Sequence, residues 1–175
     1  MFSVLISSKN TFDGQLPGEE TVLVKRRHWF VIIIPVIFVL FLFILPFVVY
    51  FFIKNFLWYD ALSSLYWFLS SVYFLILWIY LFYLLVIYVL TVTIVTNQRL
   101  IKCSQLGFFN YRRDETELKK IQDISVKISG PVQTFLHFGN LEVQTAGTEV
   151  KFSFEDLPEP QEIKEIIYKQ IHPGQ

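Results

Sequence analysis

The side chains best suited to chemistry in this chain are scattered. His28, His137 and His172 are its only histidines, and none has a second metal ligand three or four positions away, the spacing that would set two ligands on one helical face. Asp114, Glu115 and Glu117 form an acidic cluster that could resemble a carboxylate pair, but it follows Arg112 and Arg113 directly and reads as a solvated loop or strand edge. Cys103 is the single cysteine, which excludes an intrachain disulfide and a multi-cysteine zinc site. It reads as a small buried residue. No G-x-S-x-G, H-E-x-x-H or phosphate-loop pattern occurs. The sequence therefore predicts no catalytic residue, no metal and no cofactor, and so no enzyme.

Two basic features carry a different kind of chemistry. Lys25, Arg26 and Arg27 are consecutive and abut a long apolar run, where each gains about 1 kcal/mol from anionic headgroups. Their first role is to set membrane topology. Arg112 and Arg113 follow the aromatic FFNY and would face the same leaflet, with Asp114 and Glu115 beside them as neutralising charges. The candidate headgroup residues are thus Lys25, Arg26, Arg27, Arg112 and Arg113.

The elements that must position these residues follow from composition. Hydrophobic residues make up 54% and aromatics 18%, against 17% charged, a membrane-protein balance. The formal net charge is zero, so no basic field argues for nucleic acid. Residues 28–53 contain no Lys, Arg, Asp or Glu, and about 20 residues suffice to cross a ~30 Å hydrocarbon layer. This predicts a first transmembrane helix over 29–53, with Pro35 and Pro46 inside it, a placement that membrane helices tolerate. The second uncharged run, 61–98, would measure about 57 Å as one helix, so a second span over 65–87 is predicted, after a loop over 54–64. Trp29, Trp58, Tyr59 and Trp67 are the predicted interfacial aromatic anchors. Lysines and arginines flank the outer ends of the two spans, while the loop offers only Lys54. A multi-pass protein of the cell membrane with both termini cytoplasmic is expected.

Beyond residue 88 the period changes from that of a helix to two. Leu90, Val92 and Ile94 alternate with Val89, Thr91, Thr93 and Val95, in residues that favour strands. RLIKCSQ follows a turn at Asn97 and Gln98, FFNYRR reads as the next strand, and ISVKIS ends at Gly130 and Pro131. Two more alternating stretches flank a turn at Ala146 and Gly147, the second running from Val150 to Phe154. Ile163, Ile166, Ile167 and Ile171 then share one helical face behind Pro160. The expectation is six short strands and an amphipathic helix that packs on them.

Four stretches in register, VTNQRLIKCSQLGFFNYR, LKKIQDISVKIS, FLHFGNLEVQTAG and FSFEDLPEPQEI, resemble the bacterial membrane-anchored PH-like family called YdbS-like. The similarity covers residues 88–171, and GEETVLVKRRHWF before the apolar runs resembles the same family. The resemblance implies an α+β fold: a two-helix transmembrane hairpin followed by a pleckstrin-homology-like, seven-stranded, bent and partly open β-barrel closed by a C-terminal helix. With six strands after the membrane, the seventh is sought before it, where Val22 and Val24 alternate with Leu23 and Lys25. Residues 19–26 are expected to return as an extra edge strand from an N-terminal segment, 1–28. Inositol-lipid-binding PH domains carry several basic residues between their first two strands. Reading that loop as Thr96–Arg99 leaves a single arginine and argues against inositol-lipid recognition.

The function expected is a non-catalytic binding or scaffolding module at the cytoplasmic leaflet. Its partners would be the lipid bilayer, a protein or peptide, and a second copy of the chain, but not nucleic acid. The alternative is recognition of anionic lipid headgroups by the juxtamembrane basic cluster.

Overall fold

The computed structural model describes residue 12, residues 14–146 and residues 152–172. The predicted turn residue Gly147 and the strand start at Val150 and Lys151 lie outside them, as does most of the segment before residue 14. The element order is β1 (Thr21–Arg26), α1 (Phe30–Ile53), α2 (Tyr59–Leu90), β2 (Val92–Thr96), β3 (Arg99–Gln105), β4 (Tyr111–Glu117), β5 (Ile121–Lys127), α3 (Pro131–Phe135), β6 (Phe138–Thr145), β7 (Phe152–Pro158) and α4 (Pro160–Ile171). Two compact units result: residues 29–86, and the flanking segments 1–28 and 87–175 together.

The helical unit is built from the two uncharged runs. Both helices are long and apolar enough to cross a membrane. Helix α2 is longer than the predicted 65–87 and reaches Leu90, so the period-two pattern begins to act only at Val92. In α1, Pro46 has no N–H to give to the carbonyl of Leu42, four residues earlier. The Tyr73 hydroxyl of α2 donates to that same carbonyl at 3.0 Å, and the Tyr66 hydroxyl donates to the carbonyl of Pro46. A backbone acceptor freed by proline is therefore satisfied from the neighbouring helix. Phe43 stacks on Phe74 with centroids 5.5 Å apart.

The sheet unit consists of two antiparallel sheets in chain order, β1-β2-β3-β4 and β5-β6-β7. The barrel is not closed: β4 and β5 are joined by a single 3-10 turn, Leu118–Lys120, yet lie in different sheets. Strand β1 pairs antiparallel with β2, Leu23 facing Val95 and Arg26 facing Val92. These two neighbours are joined by residues 27–91, which hold both apolar helices. The loop between the first two strands is therefore the helical pair itself. The Thr96–Arg99 connection is the second loop, between β2 and β3, which corrects the reading that took it for the first.

Side-chain alternation divides the burial. Val95, Leu100, Leu118, Ile124, Leu141, Val143, Phe154 and Leu157 form the main core, which Ile163 and Ile167 of α4 cover. On the other side of β2, Val92 and Ile94 join Ile101 in a smaller cluster under Phe12 and Val24. Both faces of β2 are thus buried, which is why its sequence reads as a continuous apolar and threonine run. Gly139 is required by packing: a Cβ there would lie 2.7 Å from the Lys127 carbonyl.

At the sheet end where β2 turns into β3, the segment before β1 is clasped by one ion pair. The Glu19 side chain is fully buried, and Arg99 donates to it from Nε at 2.8 Å and from a terminal guanidinium nitrogen at 2.8 Å. The Leu16 N–H and the Thr96 hydroxyl complete its hydrogen bonds, each at 2.8 Å. Arg99 also donates to the Gly14 carbonyl and lies 5.9 Å from the centroid of Phe12.

Candidate functional site

At the opposite end of the sheet, where the chain leaves β1 for α1 and returns from α2 into β2, side chains from three strands and from both connections converge. Antiparallel register sets Lys102 opposite Asp114 and Ser104 opposite Arg112 on β3 and β4, so the two pairs share one face of the sheet. Arg27 follows β1, Glu155 sits on β7, and Thr91 is the one residue between α2 and β2. Together with Gln105 and Leu106 these residues line a cavity of about 280 Å³.

Its electrostatics are mixed, three cations against two carboxylates. Arg27 donates to Glu155 at 2.5 Å, and Arg112 donates from Nε to Asp114 at 2.8 Å. The Lys102 ammonium donates to the Ser153 carbonyl at 2.5 Å and lies 5.9 Å from the Phe154 ring centroid. Burial pulls the Lys102 pKa below the usual lysine value, only partly opposed by Glu155 and Asp114. The Nε of Arg27 is buried and meets no acceptor among the described residues. A buried donor without an acceptor is costly, and an anionic oxygen would satisfy it.

Of the five residues predicted to meet headgroups, only Arg27 and Arg112 come together here. Lys25 turns to the start of α4, 3.5 Å from Glu159 and 3.9 Å from Glu162. Arg26 is exposed. Arg113, one residue on from Arg112, projects to the other face, where it pairs with Glu115 at 2.5 Å and lies 5.8 Å from the Phe12 centroid. Lys102 was not among the predicted residues. Its signal was available only through register, because facing Asp114 across the ladder is not visible in linear spacing. Of the aromatic anchors, Trp29, Trp58 and Trp67 are exposed. Tyr59 is buried against Tyr50 and Tyr66, with centroids 5.8 and 6.2 Å away. The acidic trio lies on β4, an edge strand, where Asp114 and Glu115 are held by arginines and Glu117 by Lys120. No group of three or more metal-ligating side chains occurs among the described residues.

His28 closes this end of the domain. Its ring stacks on Phe138 at 4.6 Å and 5°, and the His28 backbone N–H donates to the Asp156 backbone carbonyl at 2.7 Å. Burial lowers its pKa below the usual 6.5, the charge of Asp156 opposing in part. Between the folded and unfolded values the unfolded chain holds the extra proton, so stability falls as pH drops below about 6.5 and levels off only beneath the folded pKa. Thermal unfolding of the full chain in detergent should lose stability from about pH 6.5 downward, and His28→Phe should flatten that part of the profile. An unchanged slope in the variant would contradict the assignment.

Four strands and three strands in chain order, with a helix packed over the core, form a pleckstrin-homology-like domain, here with two apolar helices between its first two strands. The chain belongs to the bacterial PH domain family, whose model matches residues 22–171, from β1 through both helices to the end of α4. Among solved structures, a DUF1696-family protein with a pleckstrin-homology domain from Shewanella loihica PV-4 is similar at 19% identity, covering 46% of this chain and 70% of its own, with a TM-score of 0.39. No curated protein matches. The family suggests a non-catalytic binding module.

Proposed function

We propose that the chain is a membrane-anchored binding module held against the cytoplasmic leaflet. The observation that carries this reading is the pairing of β1 with β2 across the helical insertion. If α1 and α2 cross a bilayer, the strands outside their two far ends must lie on the same side of it, because they share one sheet. Lys25, Arg26 and Arg27 before α1 and Arg99 and Lys102 after α2 make that side the cytoplasm. The connectors are short, residues 27–29 and Thr91. The test is alkaline extraction of membranes containing the full chain, with a topology reporter fused after Gln175. Retention with a cytoplasmic signal is expected. Release into the wash, or an extracytoplasmic signal, would overturn the reading.

The cavity supports a second reading, recognition of an anionic lipid headgroup. Arg27, Lys102 and Arg112 line it, and a phosphate oxygen would displace Glu155 or Asp114 as their partner. The full chain purified from a mixed bilayer is expected to retain phosphatidylglycerol over phosphatidylcholine by native mass spectrometry. Lys102→Gln should reduce that preference about tenfold, the scale of one charge-assisted hydrogen bond. Equal retention of both lipids by the unaltered chain would exclude this reading and leave the anchoring intact.

A further inference from the structure

The β3–β4 hairpin ends in LGFFNY, residues 106–111, and its apolar side chains are left outside the core. Phe109 is 94% exposed, and Leu106, Phe108 and Tyr111 are exposed as well. The tip is nonetheless hydrogen-bonded within itself. The N–H groups of Leu106 and Gly107 donate to the Asn110 carbonyl at 2.9 and 3.2 Å. The Gln105 side chain donates back to the carbonyls of Gly107 and Phe108. Four hydrogen bonds thus tie together the backbone that carries the phenylalanines. Aromatic area as exposed as that of Phe109 carries a hydration cost on a water-facing surface.

What covers it follows from where the tip lies. Gln105, the last residue of β3, donates its N–H to Thr91 Oγ1 at 3.4 Å, and Thr91 is the residue at which α2 passes into β2. Val92 faces both Arg26 on β1 and Cys103 on β3. The hairpin tip therefore projects from the same sheet end as both connections to the apolar helices. A second apolar feature emerges there: α3 joins β5 to β6 next to Phe138, which stacks on His28, and its Phe135 is 82% exposed.

We infer that the β3–β4 tip is an interfacial membrane anchor, inserting Phe109 and its neighbours about 5–10 Å into the headgroup and acyl boundary of the leaflet that the helices leave, with Phe135 of α3 as a second contact. The partner is the lipid itself. Aromatic rings suit that depth because they combine apolar area with tolerance of the polar headgroup layer. Arg112, next to Tyr111, sits where its guanidinium can remain among the phosphates while the rings go deeper. The tip would thus add a third attachment to the bilayer beside the two helix connections.

This inference rests on the membrane anchoring proposed above, and the experiment separates the two. The full chain carrying Phe109→benzoylphenylalanine, and separately Lys119→benzoylphenylalanine in the turn at the other end of the sheet, is reconstituted into vesicles of phosphatidylethanolamine and phosphatidylglycerol, washed at alkaline pH and irradiated. About tenfold more lipid adduct is expected at 109 than at 119, as one position is at interfacial depth and the other in water. Equal yields at the two positions, or adducts at 109 dominated by protein, would overturn the inference alone. Loss of the chain in the wash would overturn the anchoring and this inference with it.

Discussion

Arg99→Ala is expected to destabilise the sheet domain by about 3–5 kcal/mol, the range for breaking a buried ion pair from one side. The size follows from what is left behind. The Glu19 carboxylate is fully buried, and without the guanidinium it keeps only the Leu16 N–H and the Thr96 hydroxyl. Glu19→Gln removes the charge as well as its need for a partner, so its loss should be smaller, although it leaves Arg99 with Glu115 and the Gly14 carbonyl. Unfolding of the detergent-solubilised full chain, followed by proteolysis of the sheet domain, measures both. An Arg99→Ala variant no less stable than Glu19→Gln would contradict the argument.

The same pair gives the domain an acid limit. Burial alone would raise the Glu19 pKa, but the hydrogen bonds from Arg99, Leu16 and Thr96 and the charge of Arg99 outweigh it, so the folded value lies below the usual 4.5. A depressed carboxyl contributes stability that is present above its unfolded pKa and is lost as pH falls through the folded one. This loss begins below about 4.5, separate from the histidine effect that begins near neutrality.

Phe154→Ala is the second large effect, about 3–5 kcal/mol for a fully enclosed aromatic. Phe154 sits in the main core on β7, and its ring also supports Lys102. The substitution should therefore do two things: open a cavity under α4 and release the lysine from the site. Phe154→Leu refills most of the space without restoring the π face, and so should recover most of the stability but little of any anionic-lipid preference. Paired unfolding and lipid-retention measurements on the two variants would separate packing from the cation–π contact. If both variants retained the lipid preference, the ring would be shown to have no part in the site.

Local periodicity made much of this architecture legible. The two uncharged runs, the strand propensity of VTIVT and the isoleucine face of α4 are short-range patterns, and each maps onto an element. Elsewhere packing competed with local pattern. FFNY reads as strand because aromatics favour strands, yet Asn110 accepts two backbone bonds across it and the residues form a turn, so β4 starts only at Tyr111. Residues 59–64 and 88–90 read as loop and strand but continue α2 in both directions, because helix propagation costs little once the turn before it exists. Helix α3 is too short for its period to register. The site was the least legible part. Arg27 and Lys102 are 75 positions apart in the chain, and only the ladder register, which linear spacing does not carry, brings them to one cavity.

The placement of both helices between β1 and β2 also orders events in time. At roughly 5–20 residues per second, β1 leaves the ribosome several seconds before the strand it must pair with, and everything made in between is apolar helix. During that interval Val22, Leu23 and Val24 have no ladder to join. If α1 and α2 cross a bilayer, they can join one only once α2 has returned to the side where β1 waits. If the proposed anchoring holds, the edge of the sheet becomes a record of correct insertion: a chain whose second helix fails to return would lack the β1–β2 ladder and keep an incomplete sheet with β2 uncovered.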